Sequence, residues 1–144
     1  MLATMERRLA PLGGPTQAIL RIGAALLFMQ HGFMKLGYLG GIDGQGGAVP
    51  LAGQMGLATA LETVGAAFIV AGFLTRPIAA LLFVEMLAAY WIAHMPQGGF
   101  PIQNGGEVPL LFALVWLFLV GNGAGPFSVD AALKRRRESG RVVR

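Results

Sequence analysis

Ionisable side chains lie inside or at the ends of long apolar segments of the sequence. Arg21, Glu62 and Glu85 lie within such segments, and a second group lies near segment ends: His31, Lys35, His94 and Glu107. A charge at the centre of a bilayer costs on the order of 2.5 to 3.5 kcal/mol on insertion scales. Each group therefore needs a partner or a wet cavity, and these are the residues that could do chemistry.

The depths of Arg21 and Glu85 predict a buried ion pair. Pro15 and Pro77 begin their segments, and at ~1.5 Å per residue the two charges lie within ~3 Å of the same depth. Such a pair would determine how the first and third segments pack. The alternative is that the two residues form a proton relay or a substrate anion site. Breaking a buried pair would leave one charge buried without a partner.

A second pair is predicted between Lys35 and Glu62. Lys35 projects within ~40° of Arg21 on a helical wheel, so both belong to one inward stripe of the first segment. Glu62 lies near the start of the second segment, close in level to His31 and Lys35. The alternative for Lys35 is a side chain that extends to the lipid head groups.

The outer ends of the segments hold the candidates for proton exchange. No catalytic residue is assigned, and the candidates are His31, Lys35, Glu62 and Glu107. Histidine suits this role because its ordinary pKa lies near ambient pH. No metal site is predicted, since neither H-x-x-H nor H-E-x-x-H spacing occurs and Glu107 can instead favour a helix N-terminus.

Aromatic residues gather at the outer end of the third segment. Tyr90, Trp91 and Phe100 are what an aromatic belt at a membrane interface requires. The functional alternative is stacking on a quinone or another flat ligand. Tyr90, Trp91 and His94 are the ligand-binding candidates under that alternative.

The elements that carry these residues are apolar helices. The 144 residues are 55% hydrophobic and 12% charged, far from the ~25% charge of soluble domains. Four segments approach the ~20 residues that cross a bilayer: about 15–33, 57–75, 77–95 and 108–121. The absence of cysteine excludes disulfides and thiolate chemistry. The pattern predicts an all-α, four-helix transmembrane bundle forming a single integral membrane domain over residues 1–144.

The distribution of Lys and Arg predicts the orientation. Arg7 and Arg8 precede the first segment, Arg76 lies between the second and third, and the tail 134–144 is basic. The other two loops contain Lys35 alone. By the positive-inside rule both termini are cytoplasmic. The tail contacts a membrane surface in this interpretation, and no nucleic-acid partner is predicted.

Four fragments of the sequence together resemble the DoxX family of small bacterial membrane proteins. They are "LRIGAALLFMQHGFMKL", "ALETVGAAFIVAGFLTRPIAALL", "NGGEVPLL" and "GNGAGPFSVDAAL". Their order and spacing extend the resemblance over about residues 15–132. The polar positions that match the motifs are Arg21, Lys35, Glu62 and Glu107.

The resemblance implies a multi-pass protein of the bacterial inner (plasma) membrane, sometimes found with membrane oxidoreductases. The expected function is an accessory or quinone-associated subunit of such an assembly, with quinone as the candidate cofactor. Its partners would be the lipid bilayer, redox proteins and further copies of this chain. The alternative is a non-catalytic scaffold or a small-solute transporter. Whether the chain is itself an enzyme is left open.

Overall fold

The computed structural model describes residues 2–142, with the side chains of residues 4–141. Its helices are α1 (Leu2–Leu9), α2 (Gly13–Lys35), α3 (Gly53–Ala60), α4 (Ala66–Ala71), α5 (Thr75–Ala89), α6 (Pro101–Asn104), α7 (Glu107–Asn122) and α8 (Val129–Val142). Within the described range no strand forms beyond an isolated bridge between Gly41 and Gly47. The prediction of an all-α chain is confirmed at this level.

Short 3₁₀ and π-helical turns join several of these helices into longer continuous helices. A 3₁₀ turn at Ala10–Leu12 connects α1 to α2, and a π-helical turn at Leu61–Gly65 connects α3 to α4. A second π-helical turn at Tyr90–His94 and a 3₁₀ turn at Met95–Gln97 continue α5. The first π turn contains the candidate Glu62, and the second contains the candidates Tyr90, Trp91 and His94.

Three continuous helices are long and apolar enough to cross a membrane: Thr4–Lys35, Gly53–Ala71 and Thr75–Gln97. The fourth apolar helix, α7, has 16 residues and measures ~24 Å at ~1.5 Å per residue. It is therefore shorter than the ~30 Å hydrocarbon layer. Apolar side chains such as Ile19, Leu27 and Leu114 are exposed, as expected for a surface that faces lipid.

The helices pack in a cyclic order that separates α2 from α5. Helix α2 lies against α3, the π turn and α4, and more loosely against α7. Helix α5 has its most extensive contact with α7 and also touches α4 and the neighbouring π turn. The helices α2 and α5 are thus diagonal in the bundle. The core between them includes Phe28, Leu82 and Trp116, all fully buried.

The connection between α2 and α3 is a glycine-rich loop organised around Asp43. The Asp43 carboxylate accepts hydrogen bonds from the backbone N–H groups of Gln45 and Gly47, each at 2.9 Å. These two bonds, that from Gln45 first, lower the pKa of Asp43 below its ordinary value. A carboxylate with a lowered pKa supports the folded loop above its unfolded pKa, and this support disappears as pH falls through the folded pKa.

Replacing Asp43 by alanine is expected to loosen this loop without unfolding the bundle. The N–H groups of Gln45 and Gly47 lose their acceptor, so their amide hydrogens should exchange faster at neutral pH, as measured by mass spectrometry. Asp43→Asn keeps one acceptor oxygen and is the control. Equal exchange rates in wild type and Asp43→Ala would contradict the role given to the carboxylate.

Candidate functional site

A carboxylate cluster lies near the end of α2. It consists of Lys35 on α2, Glu62 in the first π turn and Glu85 on α5. The Lys35 Nζ atom donates to Glu62 Oε1 at 2.5 Å, and the Glu62 side chain is only 6% exposed. The structure thus brings together the two residues whose common level predicted a pair.

The backbone of α2 approaches the π turn closely because residue 32 is glycine. A Cβ atom on Gly32 would lie 2.5 Å from Thr63 Cγ2 and 3.0 Å from the backbone carbon of Glu62. This close approach brings the end of α2 against the segment that carries Glu62. Glu62 also lies in a π turn, and π turns occur frequently at functional sites.

Glu85 belongs to this cluster from the opposite side of the bundle. Its carboxylate interacts electrostatically with Glu62, which repels it, and with Lys35, which attracts it. Leu82 on α5 lies beside Gly65 in the π turn, since a Cβ atom on Gly65 would be 3.3 Å from Leu82 Cδ2. Because the two helices run in opposite directions, Glu62 and Glu85 both lie about one turn beyond this contact, at one level.

Three carboxylate oxygens of the cluster are buried without a hydrogen-bond partner among the described residues. They are Glu62 Oε2 and both oxygens of Glu85. Native proteins leave few buried polar atoms unsatisfied, and each calls for an explanation. The Lys35 ammonium pairs with Glu62, and within the described range the Glu85 carboxyl group has no ion pair or hydrogen bond. The cluster therefore needs a proton, a cation or a hydrogen-bond donor to be satisfied. The arrangement can therefore bind a ligand or hold an exchangeable proton.

The predicted ion pair between Arg21 and Glu85 was wrong. Arg21 donates instead to backbone carbonyls: Nε to Ala124 at 3.1 Å, Nη1 to Ile69 and Val70 at 2.5 Å, and Nη2 to Phe127 at 2.7 Å. The helices α2 and α5 are diagonal, so depth alone could not make these residues neighbours. In addition, a long side chain on a helix leans toward the helix N-terminus, which carries the guanidinium away from Glu85.

An arginine joint therefore forms at the opposite end of the bundle. We use this name for Arg21, Gly72, Ala124, Phe127 and Asp130. Arg21 is 1% exposed and donates to the carbonyls of Ile69 and Val70 at the end of α4, where helix ends leave acceptors unpaired. The Ile69 carbonyl also accepts from the N–H group of Gly72 at 3.0 Å. Along α2, Arg21 and Lys35 are ~21 Å apart, so the joint and the carboxylate cluster are separate.

Asp130 connects this joint to α5. Its two carboxylate oxygens accept from the backbone N–H groups of Leu74 at 2.9 Å and Thr75 at 3.0 Å, and its own N–H donates to Gly72 O at 2.9 Å. Asp130 lies within the fourth fragment that resembles the family, "GNGAGPFSVDAAL", and the sequence alone assigned it no role. The sequence shows only that Asp130 is an acidic residue in the first turn of a helix, α8. The helix whose N-terminus Asp130 caps is α5, which is distant in the sequence.

His31 lies among aromatic rings near the carboxylate cluster. Its ring centroid is 6.4 Å from that of Phe28 and 6.0 Å from that of Phe112, which it meets edge-on. Phe112 stacks on Trp116, whose Nε1 is buried with no acceptor among the described residues. His31 is half-buried, so it lies between this aromatic core and the surface.

The remaining candidates lie apart from the cluster. The Nδ1 atom of His94 is 2.9 Å from Asn104 O, a carbonyl that can only accept, so this nitrogen carries the proton. Tyr90 meets Trp91 edge-on at 5.9 Å, and Trp91 is 61% exposed. Glu107 begins α7 and is exposed. No group of three His, Asp or Glu residues suited to a metal ion occurs within the described range.

Long apolar helices, an outward apolar surface and buried polar side chains together define an α-helical membrane protein. A family model described as DoxX matches residues 16–95, and the chain belongs to the DoxX family, as its motifs predicted. The matched range includes both the carboxylate cluster and Arg21.

Two relatives come from Haemophilus influenzae. One, described as an uncharacterized protein, is 40% identical over 119 residues, which cover 78% of this chain and 87% of the relative. Another with the same description is 33% identical over 64 residues, 44% of this chain and 42% of the relative. No solved structure matches the chain.

Proposed function

We propose that α2, α3 with α4, α5 and α7 form a four-helix transmembrane bundle in the bacterial inner membrane, with both termini in the cytoplasm. Two observations support it. The start of α2 and the segment after α7 are neighbours, since a Cβ on Gly14 would lie 2.8 Å from Pro126. Arg76 lies at this same end, where it donates to Val120 O. Positive charge at one end favours the cytoplasmic side.

Within this bundle the carboxylate cluster is proposed to bind the polar head of a quinone, as part of an accessory subunit of a membrane oxidoreductase. The observation that carries the proposal is the set of buried, unpartnered oxygens on Glu62 and Glu85. A quinone supplies carbonyl acceptors when oxidised and hydroxyl donors when reduced. Lys35 or a protonated carboxyl group would donate to a carbonyl of the oxidised form, and the two carboxyl groups would accept from hydroxyls of the reduced form, so the residues fit both forms.

The chain's own part in such a reaction is binding and proton exchange. His31 lies one turn before Lys35 on α2, on the inner side of the cluster, and is half-buried, so it would exchange protons with the cluster or hydrogen-bond its ligand. Glu107, exposed at the start of α7, would exchange protons only at that surface. Tyr90, Trp91 and His94 lie farther along the outer end and would contact an apolar ring or tail. Electrons would come from a redox-protein partner.

Quinone retention tests this proposal. The protein is purified in a mild detergent and its bound quinone is extracted and quantified by mass spectrometry. Glu85→Gln keeps the size of the side chain but replaces one carboxyl oxygen by an amide NH₂ group that cannot accept a hydrogen bond. We expect about tenfold less quinone, because a buried hydroxyl left without its acceptor costs ~1 to 3 kcal/mol. Glu62→Gln should act in the same direction.

Glu138→Gln is the matched control. Glu138 is exposed and its ion pair with Lys134, at 4.0 Å, is a surface contact, so quinone retention should equal that of wild type. A folded, quinone-free wild-type protein would contradict the proposal and favour the scaffold or transporter alternative. Equal losses in Glu85→Gln and Glu138→Gln would do the same.

A further inference from the structure

The helix α8 presents a dense set of cations next to exposed apolar side chains. Its basic residues within the described range are Lys134, Arg135, Arg136, Arg137 and Arg141. Its acidic residues are Asp130 and Glu138. The predicted tail also includes Arg144, which lies outside the described residues. This surface has no part in the carboxylate cluster, which is near the other end of the bundle.

The start of α8 is held at the end of the apolar helices. Only residues 123–128 separate the end of α7 from the start of α8. Asp130 caps α5, and Pro126 lies against Gly14 at the start of α2. In the membrane orientation proposed above, those helices end at the membrane surface, so the first turn of α8 lies near lipid head groups. Charges there act across a Debye length of about 8 Å.

Some charged side chains of α8 have partners within the protein, and others do not. Asp130 is bound to the N-terminus of α5, and Lys134 faces Glu138 at 4.0 Å, so the charges of Lys134 and Glu138 largely compensate each other. The consecutive residues Arg135, Arg136 and Arg137 have no acidic neighbour that forms an ion pair with them within the described range. They are exposed and remain available to anions.

Apolar side chains accompany these arginines. Phe127, Val129 and Leu133 are exposed, and Val129 and Leu133 lie within ~40° of each other on a helical wheel. Leu133 and Glu138 are ~140° apart, so they belong to different sides of the helix. Cations beside a narrow apolar side are typical of helices that lie in a membrane interface.

We propose that α8 lies along the membrane surface and binds anionic phospholipid head groups through Arg135, Arg136 and Arg137. Phe127, Val129 and Leu133 enter the boundary between head groups and acyl chains. Negatively charged lipids of the cytoplasmic leaflet attract such juxtamembrane basic segments. The inference is independent of quinone binding, because it involves another end of the molecule and another ligand.

Spin labelling tests this proposal on the full chain, which contains no cysteine. Single labels at Leu133→Cys and Glu138→Cys are compared in nanodiscs of phosphatidylcholine alone and of phosphatidylcholine with phosphatidylglycerol. In the anionic nanodiscs the label at 133 should become accessible to oxygen and protected from an aqueous nickel reagent. The label at 138 should stay accessible to nickel in both lipids.

Charge variants test whether the three arginine charges cause the protection of the label at residue 133. R135Q/R136Q/R137Q in the Leu133→Cys background should lose the protection, whereas R135K/R136K/R137K keeps the charges and should retain it. Inorganic phosphate added to neutral nanodiscs should have no effect. The proposal is overturned if the label at 133 remains accessible to nickel in anionic nanodiscs, if the glutamine variant keeps the protection, or if free phosphate reproduces it.

Discussion

Replacing Arg21 by methionine is expected to lower the free energy of unfolding by more than ~3 kcal/mol. Arg21 donates to four backbone carbonyls from two separate segments, Ile69 and Val70 in one, Ala124 and Phe127 in the other. A buried polar group left without a partner costs ~1 to 3 kcal/mol. Methionine fills much of the space but donates no hydrogen bond, so the loss should exceed that of an ordinary core substitution.

Unfolding in mixed micelles of increasing SDS content, followed by circular dichroism, measures this effect. Arg76→Met is the matched control: Arg76 is exposed and donates to Val120 O at 2.8 Å, so its loss should cost less than ~1 kcal/mol. Arg21→Lys should lie between, since an ammonium cannot reach all four carbonyls in the way a planar guanidinium does. Equal stability of Arg21→Met and Arg76→Met would contradict the arginine joint.

Replacing Gly32 by alanine is expected to disrupt the carboxylate cluster and destabilise the protein by ~1 to 3 kcal/mol. The new Cβ would overlap Thr63 Cγ2 and crowd the backbone of Glu62, and overpacking of this kind commonly costs ~1 to 3 kcal/mol. Thr63 cannot turn away freely, because its hydroxyl donates to Thr59 O at 2.7 Å. Separation of α2 from the π turn also weakens the pair between Lys35 and Glu62.

The control for this change lies on the same helix. A Cβ on Gly23 meets nothing within 4 Å, so Gly23→Ala should stabilise α2 by ~0.5 to 1 kcal/mol through helix propensity. The SDS unfolding measurement compares the two variants, and quinone extraction reports on the cluster. The close approach at Gly32 is refuted if Gly32→Ala and Gly23→Ala shift stability in the same direction by similar amounts.

The two predictions concern different ends of the bundle and should have different consequences for function. Arg21→Met acts at the arginine joint, ~21 Å along α2 from Lys35, so any molecules that remain folded should retain quinone in proportion to folded protein. Gly32→Ala acts beside Glu62, so quinone per folded molecule should fall. This difference separates residues that maintain the fold from residues that form the proposed site.

The pairing of Lys35 with Glu62 was accessible from the sequence because the helices that carry them are neighbours. The position of a residue along its apolar segment gives its depth in the bundle. Two residues at the same depth come into contact when their helices are adjacent. The same argument failed for Arg21 and Glu85, since α2 and α5 are diagonal. Periodicity and depth contain no information on the order of helices around a bundle, so the third member of the cluster could not be predicted.

The sequence by itself determined the helical class, the presence of long apolar helices and the family, because these follow from hydrophobic length and local motifs. The bounds of the helices differ from the predicted segments: the first continuous helix is Thr4–Lys35 and the second is Gly53–Ala71, where about 15–33 and 57–75 were expected. The tertiary structure decided which buried charges meet. It brings Glu85 to Lys35 and Glu62, gives Arg21 backbone carbonyls in place of a carboxylate, and directs Asp130 to the start of α5. These contacts join residues far apart in the chain, and packing rather than local sequence selects them.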